Sequence, residues 1–233
     1  MAVRTTCKQS NQSISKIKMP PPKHHAITLI TYSVCTSIFT LAIGYIGLKI
    51  QKRKKKCKQI NLPHAGETKA NIEALGIVIP KSPSPKGNYV SIIGSGAVGN
   101  EKMLYLCGHI PTNDDGSLIV GKLGKDLEVD DGYKSARACA INILGTLTEY
   151  LNANTEGIDG LDVLDRVQRI VKVVGFVNCT DDFTQQPRVI NGASDLFATV
   201  FGGKRGRHAR SAVGTNSLPL NIATEVECIV ELY

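Results

Sequence analysis

Apolar positions recur at helical spacing in two stretches of the second half of the chain. Within residues 131–151, steps of three and four residues predict an amphipathic helix. Its apolar stripe consists of Ala136, Ala140, Ile143, Leu144, Leu147 and Leu151. Residues 187–201 carry a second stripe, which starts after Pro187 and stops before the glycine pair 202–203. Proline in the first turn and glycine after the last are typical helix boundaries, so a second helix is predicted here.

Runs rich in β-branched and alternating residues predict strands around these helices. In residues 224–232, Val226, Cys228, Val230 and Leu232 share one face, and Glu225, Glu227, Ile229 and Glu231 share the other. Further strands are predicted at 89–93, 103–106, 117–120, 170–174 and 209–213, with a short helix at 71–76. This order predicts an α+β fold with both long helices on one face of a sheet. We expect a second copy of the chain to cover the other face.

A different hydrophobic pattern lies near the N-terminus. Residues 26–48 contain no charged side chain, and at about 1.5 Å per residue such a helix is long enough to cross a bilayer. A cleaved signal peptide is the alternative, but the basic residues at 49–58 favour a retained anchor. The same residues predict that the folded domain faces the cytosol, with a mitochondrial membrane as the alternative location. The predicted organisation is a basic tail at 1–25, a single-pass transmembrane helix in contact with lipid at 26–48, a basic juxtamembrane segment and linker at 49–88, and a domain at 89–233.

The positive net charge comes from the N-terminal quarter. Residues 1–58 hold 12 Lys and Arg and no Asp or Glu, whereas the remainder holds 16 basic against 20 acidic residues. A basic cluster at 203–210 has no interleaved aromatic residue on which bases could stack. We therefore interpret it as a basic loop and expect no nucleic-acid partner.

The cysteine and glycine patterns give no sign of a metal or cofactor. The seven cysteines are scattered and form no C-x-x-C pair, so we expect reduced side chains that serve as small apolar residues. Residues 94–99 match the dinucleotide fingerprint G-x-G-x-x-G, but the following residues favour a strand where the fingerprint requires a helix. We interpret this segment as a glycine-rich hairpin.

Six short motifs in the C-terminal third point to a known family. They are GFVN at 175–178, DFTQQP at 182–187, VINGASDL at 189–196, RHARSAVG at 207–214, LPLN at 218–221 and VECIVE at 226–231. In this order and spacing the chain resembles the RidA/YjgF family, in its YjgF-like, chorismate-mutase-like branch. The resemblance covers about residues 72–233 and excludes the N-terminal segment.

The resemblance implies a fold, an assembly and an activity. It implies a chorismate-mutase-like α+β fold and a homotrimer with clefts between subunits. The implied activity is metal-independent hydrolysis of reactive 2-imino or enamine acids to keto acids and ammonia. By position, Arg210 corresponds to the residue that holds the substrate carboxylate, and Glu225 to the residue that positions the attacking water. The remaining substrate-binding positions are Tyr89, Cys107, Gly108 and Asn191.

Two departures from the family pattern leave the function open. Residues 107–111 read CGHIP where active members commonly have Ser-Gly-Gln-x-Pro, and Ala212 replaces a pocket cysteine. The alternatives are a non-catalytic trimeric module that binds a small carboxylate metabolite or a partner protein, and an RNA-binding or endoribonuclease protein. Cys107 and His109 fall on one face of the predicted strand and suggest a nucleophile pair, although pocket lining is favoured.

Overall fold

The structure, a computed structural model, describes residues 62–97 and 100–233. Its helices are α1 (Glu67–Ala74), α2 (Val129–Asn154) and α3 (Gln186–Arg205), with short 3-10 turns at Gly160–Arg166 and Pro219–Asn221. Its strands are β1 (Ile92–Gly94), β2 (Met103–His109), β3 (Val167–Asn178), β4 (Ala209–Thr215) and β5 (Thr224–Leu232). Both predicted long helices and the predicted closing strand are confirmed, and the mixed α+β composition with them.

The five strands form one mixed sheet in the order β1-β2-β5-β3-β4. The pairs β1–β2, β2–β5 and β5–β3 are antiparallel, whereas β3 and β4 are parallel. A parallel pair needs a long crossover connection, and α3 provides it between β3 and β4. The C-terminal strand β5 therefore lies at the centre of the sheet, and β4 lies at one edge.

Helices α2 and α3 pack on one face of the sheet, as predicted. Val226, Cys228 and Val230 of β5 are buried beneath them, and the whole predicted stripe of α2 is fully buried. The two helices are in close contact at Gly192, where a Cβ atom would overlap the backbone oxygen of Tyr133. Glycine at this position is what allows the helices to lie so close together.

The opposite face of the sheet carries apolar side chains that remain exposed. Ile93 pairs with Tyr105 across β1 and β2, and these side chains are 59% and 45% exposed. Val213 on β4 is 44% exposed and lies on the same face, beside Phe176 of β3. We refer to this surface as the open face.

The early strands differ from their predicted limits. Tyr89 lies in a turn, with its N–H donating to the Gly87 carbonyl, so β1 begins only at Ile92. Residues 117–120 form isolated bridges instead of a strand, one of which pairs Val120 with Ile222. After β1 the next described element is the antiparallel strand β2, which agrees with a hairpin at the glycine-rich segment.

The predicted transmembrane helix is corrected. Among residues 62–97 and 100–233 no helix is both long and apolar enough to cross a membrane. The longest, α2, has 26 residues, but charged residues occur along its length, among them Asp130, Lys134, Arg137 and Glu149. Segment 26–48, to which the prediction applied, lies outside the described residues. The transmembrane helix is therefore not a supported part of the fold class. The predictions of a single-pass protein, of contact with lipid, of a domain that faces the cytosol and of a mitochondrial membrane are not retained either.

Candidate functional site

Arg210 lies on the edge strand β4 and reaches onto α3. Its Nη1 atom donates to Oδ1 of Asn191 at 2.8 Å and to Oγ of Ser194 at 2.9 Å. Its Nη2 atom donates to the carbonyl oxygen of Pro187 at 3.2 Å. Asn191 and Ser194 are three residues apart on α3 and so project from the same side of the helix. The structure thus brings together two predicted site residues, Arg210 and Asn191.

These contacts leave part of the guanidinium of Arg210 available. An arginine side chain has five N–H donors. Both protons of Nη1 and one proton of Nη2 are used, and the other two donors have no partner among the described residues. A guanidinium that is held on one side and open on the other can bind a carboxylate with more than one hydrogen bond.

Glu225 lies on β5, on the open face, and its carboxylate is packed against Gly108. A Cβ atom at Gly108 would overlap Oε1 of Glu225, so a side chain there would displace the carboxylate from this position. Burial raises the pKa of Glu225 above its ordinary value, and the nearby charge of Glu227 raises it further. Among residues 62–97 and 100–233, no side chain or backbone group forms a hydrogen bond or ion pair with this carboxylate. A half-buried, unpaired carboxylate of this kind is a candidate general acid or base.

A proline-rich segment, residues 83–86, lies beside the C-terminal end of β2, which contains Gly108. Its residues enclose a small cleft of about 40 Å³ together with the end of the strand. The lining includes the predicted Tyr89, Cys107 and Gly108, and also Pro83, Ser84, Pro85, Lys86, Ser91, His109 and Ile110. Tyr89 accepts a hydrogen bond from the Lys86 N–H through its hydroxyl group. Three predicted substrate-binding positions therefore lie near Glu225, apart from Arg210 and Asn191.

Cys107 and His109 do not form a nucleophile pair. The pairing of β2 with β5 shifts between Leu106 and His109, and this irregularity turns Cys107 toward the open face and His109 toward the helices. Nδ1 of His109 donates to the Cys107 carbonyl at 2.8 Å, and its Nε2 accepts from the Thr146 hydroxyl at 2.8 Å. Burial raises the pKa of the Cys107 thiol, with Glu225 adding to the effect, which disfavours a thiolate. The shared strand face expected from the sequence is wrong because of this bulge.

Arg210 and Glu225 lie on opposite faces of the sheet. Arg210 pairs with Val173, which faces the helices, whereas Glu225 pairs with Phe176, which faces the other way. Their Cα atoms are about 14 Å apart, because the two residues lie two strands apart across the sheet and three residues apart along it. Within one chain, therefore, the two predicted catalytic residues do not reach one small ligand.

Two site residues were not predicted from the sequence. Ser194 contacts Arg210 directly, and Nε2 of His208 lies 3.0 Å from Oγ of Ser194. Both residues lie within the family motifs at 189–196 and 207–214, but only spacing connected them to the site: Ser194 is one helical turn from Asn191, and His208 is two residues before Arg210. Spacing of this kind is common in any helix or strand and has little specificity.

The basic cluster at 203–210 is not one continuous patch. Arg205 is only 5% exposed and donates to the Val167 carbonyl through Nε and Nη2. It also lies 3.9 Å from the buried carboxylate of Asp165. Arg207 is exposed. The cluster therefore contains one structural arginine, one surface arginine and Arg210 at the candidate site. The prediction of a basic loop is wrong in extent, because residues 203–205 belong to α3 and residues 209–210 to β4, which leaves only 206–208 as a loop.

A larger cavity lies elsewhere and contains none of the predicted site residues. Its volume is about 680 Å³, and it lies between segment 75–80, α2 and loop 112–114. Arg137 lines it, and Nη1 of that side chain is buried and has no hydrogen-bond partner among the described residues. No group of three or more His, Cys, Asp or Glu in the described part of the chain is arranged to hold a metal ion.

The fold and these residues define an α+β protein with an arginine whose guanidinium is held on one side and a separate glutamate that is unpaired among the described residues. The family model described as "YjgF/chorismate_mutase-like, putative endoribonuclease" matches residues 69–233. The chain therefore belongs to the YjgF/RidA family, as the sequence motifs indicated.

Similar proteins support the same assignment. Protein TCP17 of Trypanosoma cruzi is 42% identical over 168 residues, which cover 72% of this chain and 96% of that protein. The solved structure of Atu1372 from Agrobacterium tumefaciens, a protein of unknown function, is 35% identical with a TM-score of 0.60 and covers 72% of this chain and 96% of its own. A Shewanella oneidensis protein with the same endoribonuclease description is 27% identical with a TM-score of 0.61, and covers 71% and 99%.

Proposed function

We propose that this chain is a trimeric hydrolase that converts 2-imino or enamine acids to 2-oxo acids and ammonia. The observation that carries the proposal is the Glu225 carboxylate, which is half-buried, has a raised pKa and is unpaired among the described residues. A carboxylate in this condition is suited to hold a water molecule and to accept its proton. The resemblance implies the same role for Glu225 and a carboxylate-binding role for Arg210.

The proposed reaction needs few groups. Arg210 binds the substrate carboxylate, and water attacks the imine carbon while Glu225 accepts a proton from it. The carbon–oxygen bond forms as the carbon–nitrogen double bond becomes single. Glu225 then returns the proton to nitrogen, which gives a carbinolamine. Glu225 next carries the hydroxyl proton of the carbinolamine to the same nitrogen, so that the carbon–nitrogen bond breaks and ammonia leaves as the carbonyl of the 2-oxo acid forms. Each turnover consumes one water and releases one ammonia, so proton and electron counts balance within the site.

An assembly of several copies is part of the proposal. Arg210 and Glu225 face opposite sides of one sheet, and the exposed Ile93, Tyr105 and Val213 leave an apolar surface for another subunit. A site that contains both residues then requires Arg210 of one copy and Glu225 of another. The homotrimer implied by the family supplies such clefts between subunits.

The test is turnover by the full chain of 2-imino acids generated in place by an amino-acid oxidase. We expect imine decay and ammonia release above the spontaneous rate, and we expect Arg210→Ala to reduce kcat/KM at least about hundredfold, because a charge-assisted bidentate contact is lost. Arg207→Ala is the matched control, since Arg207 is an exposed arginine only three residues before Arg210. Spontaneous-rate decay with the folded protein, or equal losses in both variants, contradicts the proposal.

A second function is favoured by one feature of the sequence. Cys107-Gly108-His109 stands where active members commonly carry Ser-Gly-Gln, and His109 is committed to Cys107 and Thr146. A non-catalytic trimer that binds a small carboxylate metabolite would retain Arg210 without requiring turnover. Binding of a 2-oxo acid that is lost in Arg210→Ala, without imine hydrolysis by the unsubstituted protein, would support this alternative. A partner protein and RNA cleavage stay as further alternatives from the resemblance.

A further inference from the structure

A continuous chain of hydrogen bonds runs from the end of α3 to Arg210. Nδ1 of His208 lies 2.7 Å from the Gly206 carbonyl oxygen, and Nε2 lies 3.0 Å from Oγ of Ser194. The same Oγ accepts from Nη1 of Arg210 at 2.9 Å. Three consecutive contacts therefore connect a backbone carbonyl to the guanidinium.

The chemistry of the groups determines the direction of every bond. A carbonyl oxygen only accepts, so Nδ1 of His208 must carry the proton. A guanidinium only donates, so Oγ of Ser194 must accept from Arg210. The hydroxyl proton of Ser194 is then directed to Nε2 of His208, which is an acceptor in the neutral imidazole. Burial lowers the pKa of His208, and the nearby charge of Arg210 lowers it further, which favours this neutral form near pH 7.

The imidazole is also fixed by packing. Its ring meets the buried ring of Phe197 edge to face, with centroids 6.1 Å apart and planes inclined by 84°. Phe197 belongs to the core, so its position is set by the packing of α3 on the sheet. The hydrogen-bond chain is thus attached to a rigid part of the fold at the Gly206 carbonyl and at the imidazole ring.

We propose that His208 is a positioning residue which, through Ser194, fixes the guanidinium of Arg210 for ligand binding. This inference rests on the proposed function, in which Arg210 binds the carboxylate. With both Nη1 protons held by Asn191 and Ser194, the guanidinium keeps one orientation and presents its two remaining donors to the ligand. Loss of the acceptor at Nε2 frees the Ser194 hydroxyl to rotate and removes one of the restraints on Arg210.

The first measurement is the tautomer of His208 in the full-length protein, read from the ring nitrogens by long-range proton–nitrogen NMR at pH 7.5. Assignment uses the loss of signals in His208→Ala. We expect a neutral ring with the proton on Nδ1, and we expect Ser194→Ala to shift the Nε2 resonance because its hydrogen-bond donor is lost. A ring protonated on Nε2, or an Nε2 resonance insensitive to Ser194→Ala, overturns the proposal whether or not the protein turns over imines.

The second measurement separates positioning from a general loss of structure. Affinity for pyruvate, a small 2-oxo acid probe, is measured by calorimetry together with KM and kcat for imine hydrolysis. We expect Ser194→Ala and His208→Ala to weaken pyruvate binding and raise KM about tenfold, the effect of one hydrogen bond to a charged group, with kcat changed less than about twofold. Ser194→Thr keeps the hydroxyl and His208→Gln keeps an acceptor, so both variants should lie within about threefold of the unsubstituted protein.

The outcomes distinguish the two proposals. If pyruvate binds and Arg210→Ala abolishes binding, but Ser194→Ala binds as tightly as Ser194→Thr, the positioning role is wrong and the role of Arg210 stands. If neither turnover nor binding depends on Arg210, the proposed function fails, and the tautomer measurement alone decides whether the hydrogen-bond chain exists. Melting temperatures of all variants exclude loss of folding as the cause.

Discussion

Three arginines within six residues have three different environments. Arg205 is buried against the Val167 carbonyl and Asp165, Arg207 is exposed, and Arg210 is held on α3. Charge and spacing alone make them equivalent, because each is one cation in one basic segment. What distinguishes them is the set of acceptors that the fold brings to each side chain. The role proposed for Arg210 could be inferred only through the family motif that contains it.

The raised pKa of Glu225 leads to a prediction about pH. As a general base Glu225 acts only when ionised, so kcat/KM for imine hydrolysis should fall as pH decreases through its raised pKa. Glu227 is one cause of that increase, so Glu227→Gln should lower the pKa of Glu225 and move the acidic limb of the profile to lower pH. The measurement is kcat/KM against pH, corrected for spontaneous hydrolysis.

A suitable control is another glutamate of the same strand. Glu231 lies on β5, and its Oε2 atom is 2.5 Å from Nε of Arg169. Glu231 does not contribute to the raised pKa of Glu225. Glu231→Gln should leave the acidic limb where it is. An unchanged profile in Glu227→Gln, or a limb that moves to higher pH, would show that Glu225 is not the group that controls the rate.

At the scale of elements, helix α3 carries most of the candidate carboxylate site. It supplies Asn191 and Ser194, and it connects β3 to β4 so that Arg210 returns alongside them. Its distance from α2 depends on Gly192, because a side chain there would meet the Tyr133 carbonyl. The apolar stripe predicted the helix, but only the packed structure reveals how close its neighbour lies.

Gly192 therefore gives a stability prediction. Gly192→Ala should reduce the free energy of unfolding by about 1–3 kcal/mol, because the added methyl group forces α2 and α3 apart. The measurement is urea unfolding monitored by circular dichroism. The matched control is Gly203→Ala at the end of α3, where a Cβ atom would contact nothing. Equal stability of Gly192→Ala and Gly203→Ala would contradict the close helix contact.

For the whole molecule, the important feature is that the predicted site is divided. One chain holds Arg210 with Asn191 at the β4 edge, and Glu225 with Gly108 on the open face of the sheet. The proposed function requires a second subunit to bring the two groups to one ligand, and the open face carries exposed apolar residues where such a subunit could pack. We therefore expect a variant that no longer assembles to lose its activity as well.

Subunit mixing tests this arrangement. Arg210→Ala and Glu225→Gln should each be inactive alone, yet trimers that contain both should recover activity. In a cyclic trimer assembled at random from equal amounts, about a quarter of the clefts combine an intact Arg210 with an intact Glu225. We expect about that fraction of normal turnover after co-expression or co-refolding. No recovery in mixed trimers of verified composition would mean that the two residues do not share a site between subunits.

The two long helices, the last strand β5, the α+β class and the family could be predicted from the amino-acid sequence alone, but the central position of β5 could not. These features depend on the periodicity of apolar residues and on motif order, which are local properties of the chain. The tertiary structure decided that β2 contains a bulge at Cys107, that Glu225 lies unpaired against Gly108, and that His208 and Ser194 support Arg210. It also gave no support to a membrane-spanning helix in the described residues. The physical reason is that strand order, helix crossover and hydrogen-bond direction depend on contacts between residues far apart in sequence, which no local pattern specifies.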